Sequence, residues 1–367
     1  MIFLPLNIAG TASSLSKALR GRGLRAEAWV YAEDWLKFRA DKFFADANLE
    51  GGLYDRMKIE ISKFRMLGYL WRTDVVVYCF GATVFYPARG YFRWWTIAPW
   101  LIYNFYSLTL QLIELSLAQA FGLKIAVIFQ GNDARRRGFA TENFEIHFAA
   151  QAKKTYSVLG DLVKRYQAFL FGIVADRIFF LNPDLGYILP SKASFMPYAS
   201  VFPEEVLPVG VSTESGPLII GHAPTSRSVK GMHLVQDAVA NLRARGVAIE
   251  LVLIENVPHD EALELYRGID VFVDQLFAGW YGAVAVELMA LGKPVIAYIR
   301  SADLSFVDPK MAGELPLINC EPSDLEQLLS KFAALERGEL AKIGWDSRLF
   351  VERWHNPNKI ALDLLSW

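Results

Sequence analysis

Cysteine is scarce in this chain of 367 residues, and its scarcity excludes two kinds of site. Cys79 and Cys320 are the only cysteines, and neither belongs to a CxxC or Cys/His cluster. The sequence therefore has no disulfide framework and no cysteine-based zinc site, and it fits a reducing cytoplasm. Four histidines also lack metal-ligand spacing, so we expect them to be packing or surface residues: His147, His233, His259 and His355.

Two common nucleotide-binding signatures are missing as well. No GxxxxGK[ST] run occurs, which excludes a P-loop, and no GxGxxG occurs, which argues against a dinucleotide-dependent dehydrogenase. The N-terminal "MIFLPLNIAG" has no basic head, so it predicts a first strand and loop rather than a signal peptide. We therefore expect a cytoplasmic protein.

Apolar residues make up 53% of the chain, enough for a large core and too many for a disordered protein. Near-continuous apolar runs are typical of parallel strands buried on both faces, and here helical stretches separate them. This alternation predicts doubly wound α/β domains. The predicted strands are "MIFLPLNI", "AEAWVYA", "DVVVYCF", "KIAVIFQG", "DRIFFLN", "PLIIGHAP", "AIELVLIEN", "DVFVDQ" and "KPVIAYI".

A segment rich in Pro, Gly and Ser, "FMPYASVFPEEVLPVGVSTESGPL", predicts a domain boundary. We expect domains at 1–200 and 205–346, with a C-terminal helix at about 347–367 that packs back on the first domain. Charge also changes there: residues 1–200 carry 24 Lys/Arg against 16 Asp/Glu (+8), and residues 201–367 carry 14 against 23 (−9). A basic half suits an anionic membrane surface or an anionic acceptor, although chance distribution is an alternative.

Between Arg93 and Lys124 the only formal charge is Glu114. The spacing of the polar residues predicts a helix with one narrow polar stripe: Asn104, Ser107, Gln111 and Glu114. Three interpretations stay open here, namely a helix packed inside the domain, a helix on a membrane surface and a transmembrane span.

Glu287 is the most unusual charged residue of the second half, because it lies within the apolar run "AVAVELMA". The run begins a predicted helix near Gly282, after the strand "DVFVDQ", and ligands of α/β sheets bind at such strand ends. Glycine at a helix start admits phosphate, and a carboxylate one turn later can accept hydrogen bonds from a ribose diol. The alternative is a buried Glu paired with a basic residue.

The loop "GHAPTSRSVKG" carries three candidate ligand-binding residues, His222, Arg227 and Lys230. Two cations three residues apart, beside the end of a strand, can hold a diphosphate. A solvated basic loop is the alternative interpretation.

Together these motifs resemble retaining GT-B glycosyltransferases of the family 4-like group, also called glycosyltransferases group 1. The resemblance covers roughly residues 120–300. It rests on R-x-x-K-G at 227–231, "YRGIDVFVDQ", G-x-x-x-x-E at 282–287 before "LMALGKPVIAY", and "FQGNDARRRGF", "ADRIFFLNPDL" and "MPYASV".

This resemblance implies two Rossmann-like domains that face each other across a cleft, with the acceptor in the first and a nucleotide-sugar in the second. It implies catalytic roles for Arg227, Lys230 and Glu287, a base-contacting position at Val257, and no metal. The chain also has no Asp-x-Asp pair, which counts against metal-dependent GT-A enzymes. The implied donor-binding residues are His222, Arg227, Lys230, Val257, Gln275, Gly279, Tyr281, Gly282, Ala283 and Glu287.

One position departs from the family. Gly279 stands eight residues before Glu287, where relatives usually carry a Glu that contacts the transferred sugar. Asp274 and Gln275 either compensate for it or simply order the loop.

On the acceptor side the resemblance points to Gly10, Gln130, Asp133 and Arg135. Gln130 replaces a histidine of many relatives and cannot be a general base. An internal ion pair that shapes the loop is the alternative for Asp133 and Arg135.

We therefore expect a glycosyltransferase that uses a UDP- or GDP-linked donor, requires no cofactor and acts on a glycan or lipid-linked acceptor. It would be cytoplasmic, with peripheral contact to an anionic inner membrane face as a further possibility and no nucleic-acid partner. The rival hypotheses are a sugar-nucleotide-binding pseudo-transferase and a GT-B nucleotide-sugar 2-epimerase.

Overall fold

The computed structural model describes residues 1–34, 36–49, 51–87, 97–152, 156–213 and 216–365. The chain forms two compact units. The first comprises Met1–Asn143, Lys153–Ala199 and Pro357–Trp367, and the second comprises Phe144–Ala152 and Ser200–Asn356.

The first unit is built on a seven-stranded parallel sheet in the order β3-β2-β1-β4-β5-β6-β7. After their first residues, the central strands β4 and β5 are buried apolar runs, as a sheet covered on both faces requires. The strands are β1 Ile2–Leu4, β2 Glu27–Val30, β3 Lys42–Phe43, β4 Val75–Cys79, β5 Lys124–Phe129, β6 Arg177–Phe180 and β7 Ala193–Phe195.

The helices of the first unit lie on both faces of this sheet. From β1 the chain adds β2 and β3 on one side of the sheet, and from β4 onward it adds strands on the other side. Because crossover connections are right-handed, this change of direction places α1 on one face of the sheet and the later helices on the opposite face. These helices are α1 Thr11–Arg20, α2 Leu53–Leu67, α3 Ile97–Ala120, α4 Arg137–Asn143, α6 Val158–Val174 and α14 Pro357–Ile360, which packs against α1.

Helix α3 buries its polar stripe. Asn104, Ser107, Gln111 and Glu114 are all buried, while most large apolar side chains of the helix are exposed. One interpretation of the sequence was a helix packed inside the domain. The exposed apolar side chains show that the domain does not enclose α3. Within the described ranges, no helix combines the length and the apolarity needed to cross a membrane.

The second unit contains a five-stranded parallel sheet in the order β12-β11-β10-β8-β9. Its strands are β8 Leu218–His222, β9 Ile249–Leu253, β10 Val271–Val273, β11 Val295–Ala297 and β12 Ile318–Asn319. Its helices are α5 Phe148–Gln151, α7 Arg227–Lys230, α8 Met232–Ala244, α9 His259–Arg267, α10 Ala283–Ala290, α11 Pro309–Gly313, α12 Leu325–Ala334 and α13 Arg337–Trp354.

All nine strands predicted from apolar runs are present, and the α/β class is confirmed. Strands β3, β7 and β12 were not predicted. Each is two or three residues long, lies at the edge of its sheet and is partly exposed, so it carries no buried apolar run for a sequence to reveal.

The C-terminal segment differs from the expected single helix at 347–367. Helix α13 belongs to the second unit as far as Trp354, and only the residues from Pro357 return to the first. Arg348 explains this division, because its guanidinium, buried in α13, donates to the carbonyls of Pro203, Val206 and Ala290 at 2.6–2.8 Å. These bonds fix the helix to the second unit.

Replacing Arg348 by Met should therefore destabilise the second unit by roughly 3 kcal/mol or more, because buried carbonyls lose their donors. Arg353→Met, in the same helix, removes an exposed pair with Glu314 and a contact with the Trp354 ring, and should cost about 1 kcal/mol. Chemical denaturation of both variants checks this, and equal costs would contradict it.

Candidate functional site

The candidate residues of the second half meet at the carboxyl edge of the second sheet. Strands β8, β10 and β11 are parallel neighbours, so their carboxyl ends lie side by side. The segment between β8 and α8, which includes α7, carries Arg227 and Lys230, and the loop after β10 carries Gln275 and Gly282. This is the edge where ligands bind in open α/β sheets.

Asp274 connects the parts of this edge. It follows β10 and is fully buried, with Oδ1 3.0 Å from Lys230 Nζ and Oδ2 accepting from Gly282 N–H at 2.6 Å. Lys230 also donates to the carbonyl of Ala223. The carboxylate thus holds the loop after β8 against the start of α10. This agrees with the loop-ordering alternative for Asp274.

The Gly282 N–H was expected to face a phosphate, but in the structure it donates to Asp274. The Asp274 carboxylate packs directly against Gly282, since a Cβ added to Gly282 would lie only 3.3 Å from Asp274 Oδ2. The N–H therefore finds this carboxylate as its acceptor. The next amide, that of Ala283 at the first position of α10, has no acceptor within the described residues. Ala283 therefore contributes one of the first-turn amides that α10 can offer to an anion.

Arg227 forms a bidentate pair with Glu255, with N···O distances of 2.9 and 3.0 Å. The Arg227 side chain is 67% exposed. Exposed ion pairs contribute little to stability, so this guanidinium can exchange its carboxylate partner for a phosphate at small cost.

Glu287 lies in the second turn of α10 and is buried. Its Oε1 is 2.7 Å from His259 Nε2. Its Oε2 is also buried, yet has no hydrogen-bond partner in the part of the chain that the structure describes. A buried carboxylate oxygen left without a donor is costly, so this atom is prepared to accept from a ligand.

His259 was interpreted from the sequence as a packing or surface residue, whereas the structure makes it the partner of Glu287. Burial alone would lower its pKa, but the hydrogen bond and charge of Glu287 more than offset this and raise it. Half-buried Val257 lies in the loop two residues before His259, which begins α9. The carboxylate and the expected base-contacting position are therefore linked through one short segment.

His222 is fully buried at the end of β8. Burial lowers its pKa to about 4, so the ring is neutral at physiological pH. Nδ1–H then donates to the carbonyl of Val273 at 2.7 Å, because a carbonyl can only accept. Nε2 is left as an acceptor without a donor among the described residues, which suits a ligand hydroxyl.

Two expected donor-binding side chains support the loop instead. Tyr281 is fully buried, and its hydroxyl lies 2.9 Å from His355 Nε2. Gln275 Nε2 donates to the carbonyl of Trp280 at 2.7 Å. Because both polar groups already have protein partners, these residues shape the segment between β10 and α10.

Arg300 fills the position opposite Gly279, and sequence reasoning missed it. Gly279 has φ +80°, and a Cβ there would lie 2.6 Å from Arg300 Nη1. The guanidinium donates to Asp303 and to the carbonyl of Ile146, both at 2.7 Å. The chain thus places a cation beside Gly279, where the resemblance led us to expect a Glu. Its only sequence signal was an Arg after the strand "KPVIAYI".

The acceptor-side candidates lie at the carboxyl edge of the first sheet. Asp133 accepts from the backbone N–H groups of Gln130 and Gly131 at 2.6–3.1 Å, which closes the loop after β5. Arg135 forms a buried bidentate pair with Asp184 at 2.7 and 3.0 Å. Burial lowers the pKa of Arg135, but Asp184 more than reverses this. An internal ion pair is therefore present, with Asp184 as the partner of Arg135.

Gln130 is the acceptor-side residue with an open polar group. Its Nε2 is buried and has no acceptor among the described residues. Gly10 has φ +68° at the start of α1, two strands away from β5 in the sheet order. Across the described residues, no three His, Cys, Asp or Glu side chains cluster closely enough to hold a metal ion.

Solved structures share this architecture. Sucrose-phosphate synthase from Thermosynechococcus elongatus aligns with 99% of this chain and 96% of its own, at a TM-score of 0.61 and 13% identity. HepE of Anabaena, solved with UDP-glucose, aligns with 100% of this chain and 98% of its own, at 0.59 and 10%. WaaG, a glycosyltransferase involved in lipopolysaccharide biosynthesis, aligns over the same shares at 0.57 and 10%.

No protein-family model matches the sequence, and no curated protein does. At this level of identity the similarity concerns the fold. The chain has the GT-B fold of glycosyltransferases, as predicted.

Gly279→Ala should destabilise the chain by roughly 2 to 4 kcal/mol, because it adds a strained positive φ and pushes the half-buried Arg300 guanidinium from its bonds to Asp303 and the Ile146 carbonyl. Gly246→Ala is the matched control. Gly246 has φ +81° with nothing within 4 Å of its Cβ position, so its cost should be only about 1 kcal/mol. Denaturation curves measure both, and equal losses would show that Arg300 does not crowd this position.

The His259–Glu287 pair should make stability pH-dependent. The folded protein raises the pKa of His259 above its ordinary 6.5. The pair's contribution to the free energy of unfolding is therefore fully present below pH 6.5. It is lost as the pH rises through the folded value. Glu287→Gln should flatten this fall in melting temperature, and His259→Gln should do the same. An unchanged slope in both variants would contradict the pairing.

Proposed function

We propose that the chain is a glycosyltransferase that moves a sugar from a nucleotide-sugar to a glycan or lipid-linked acceptor, with retention of anomeric configuration and without a metal ion. The observation that carries the proposal is the buried Oε2 of Glu287, which lacks a donor in the described structure. A ribose diol supplies the missing donors. The GT-B fold supports this, since one protein of that fold was solved with UDP-glucose.

The diphosphate would lie against the loop after β8 and the start of α10. Arg227 would leave Glu255 for the phosphates, and the Ala283 N–H would donate to them. Lys230 stays beside Asp274 as a fixed positive charge. These groups oppose the charge that develops on the departing diphosphate, which is the main electrostatic demand of the reaction.

The nucleoside base would contact the loop at Val257, next to the His259–Glu287 pair. Toward the sugar, the Nε2 acceptor of His222 suits a hydroxyl of the hexose. Arg300 stands near the position that relatives give to a Glu. We therefore propose a UDP- or GDP-linked sugar as the donor.

The chemical step needs no protein base. The acceptor hydroxyl forms a bond to the anomeric carbon as the bond from that carbon to the diphosphate oxygen breaks. The hydroxyl proton passes to the departing diphosphate on the same face of the sugar, which gives retention. Gln130 cannot take this proton. Its free Nε2–H groups would instead donate to the acceptor.

Glu287→Gln should weaken nucleotide affinity roughly tenfold to a hundredfold, because one charge-assisted acceptor of the ribose is lost. The measurement is calorimetric titration with UDP and GDP, after a thermal-shift screen has chosen the nucleotide. The control is Glu326→Gln, which removes a carboxylate from an exposed pair with Arg245 on the same unit. Unchanged affinity in Glu287→Gln would make this carboxylate purely structural.

Turnover separates the enzyme from its rivals. The proposed enzyme releases nucleotide from one UDP- or GDP-sugar in a panel, faster when glycan or lipid-linked acceptors are present. Binding without release identifies a pseudo-transferase, which the Arg300 side chain opposite Gly279 would explain. Conversion of the sugar-nucleotide without net nucleotide release identifies an epimerase.

A further inference from the structure

Helix α3 turns its apolar side toward solvent. Ile102 and Phe105 are 71% and 76% exposed. Exposed polar side chains are few on this helix, and its only charged residue, Glu114, is buried. The other large apolar residues exposed along it are Ile97, Leu101, Leu112, Ile113 and Leu117.

The buried polar side of α3 has specific partners that fix this orientation. Gln111 donates to Thr83 Oγ1 and exchanges hydrogen bonds with Gln167 of α6 at 2.8–2.9 Å. Glu114 accepts from the backbone N–H groups of Val84 and Phe85 at 2.9 and 3.0 Å. A rotation that buried the apolar side would leave all of these polar groups without their hydrogen-bond partners. The exposure of the apolar side chains is therefore a property of the fold.

Helices α2 and α6 extend the apolar surface on either side of α3. Lys63 of α2 lies 3.3 Å from the hydroxyl of Tyr103 in α3, and Gln167 links α6 to the same helix. We call the exposed apolar side chains of these three helices the apolar face. Its members outside α3 are Leu53, Tyr54, Met57, Ile61 and Phe64 of α2, and Val158, Leu162, Phe169 and Ile173 of α6.

On these three helices, the well-exposed charged side chains are positive, and the negative side chains are not well exposed. The well-exposed charged residues on α2, α3 and α6 are all arginines, namely Arg56, Arg65 and Arg165. The carboxylates of these helices, Asp55, Glu60, Glu114 and Asp161, are buried or half-buried. Glu60 accepts from Lys63 at 2.5 Å, and Asp161 accepts from two backbone N–H groups at the start of α4. The apolar face is thus accompanied only by positive exposed charge.

We propose that the apolar face docks on the surface of an anionic lipid bilayer, with its large side chains in the boundary between headgroups and acyl chains. A contiguous apolar surface of this extent marks an interaction site, and exposed arginines select an anionic partner. The combination fits a lipid surface better than a second copy, because two copies of the face would bring exposed arginines together, whereas the carboxylates of the three helices are buried or half-buried. The docking does not depend on the proposed reaction.

Vesicle co-sedimentation tests the docking without any nucleotide. The parent chain should pellet with vesicles of phosphatidylglycerol and phosphatidylcholine, and much less with phosphatidylcholine alone. Ile102→Ser/Phe105→Ser should weaken binding about tenfold or more, since two exposed side chains lose their insertion and the core is untouched. Leu207→Ser/Leu349→Ser, at exposed positions of the second unit, should bind as the parent does.

Arg56→Gln/Arg65→Gln/Arg165→Gln should bind anionic vesicles more weakly and with less dependence on salt. A parent chain that ignores anionic vesicles at low salt, or binds both vesicle types equally, overturns the proposal. So does a lipid-free dimer that Ile102→Ser/Phe105→Ser dissociates, because a second copy would then cover the face. Failure here leaves nucleotide binding by the second unit unaffected, so the two proposals are tested separately.

Discussion

The buried carboxylate of Asp274 is the constraint on which the candidate site depends. It ends β10 with no exposed surface, holds Lys230 through Oδ1 and holds the start of α10 through the Gly282 N–H. Without it, Lys230 would be a buried cation without its carboxylate, which costs about 3 to 5 kcal/mol. Two cations therefore face a ligand differently: Lys230 is held by Asp274, whereas the exposed Arg227 can exchange Glu255 for a phosphate.

The position of Glu287 follows from this arrangement. Because Asp274 fixes the first turn of α10, Glu287 lies one turn deeper at a constant distance from the strand ends. His259 then engages only one of its two oxygens. The two interpretations offered by the sequence, a ribose ligand and a buried ion pair, are therefore compatible, since each concerns a different oxygen of the same carboxylate.

The sequence predicted the buried strands and the edge of the sheet where candidate residues meet, because both follow from apolar runs and from the order of elements. It did not predict the partner of Glu287, since His259 lies 28 residues away and pairing at that distance depends on tertiary structure. Arg300 was missed for the same reason. The sequence also did not predict the orientation of α3. Periodicity shows that the helix has a polar stripe, but it does not show whether that stripe faces water or polar groups of the protein. Here the loop after β4 provides them.

Nucleotide binding at the carboxyl edge of the second sheet is tested most directly by a crystal structure with the nucleotide that gives the largest thermal shift. We expect ribose hydroxyls within hydrogen-bond distance of Glu287 Oε2, and a diphosphate beside Arg227 and Lys230 while Lys230 still contacts Asp274. A nucleotide bound away from the carboxyl edge of the second sheet, or one whose ribose leaves Glu287 untouched, would contradict it.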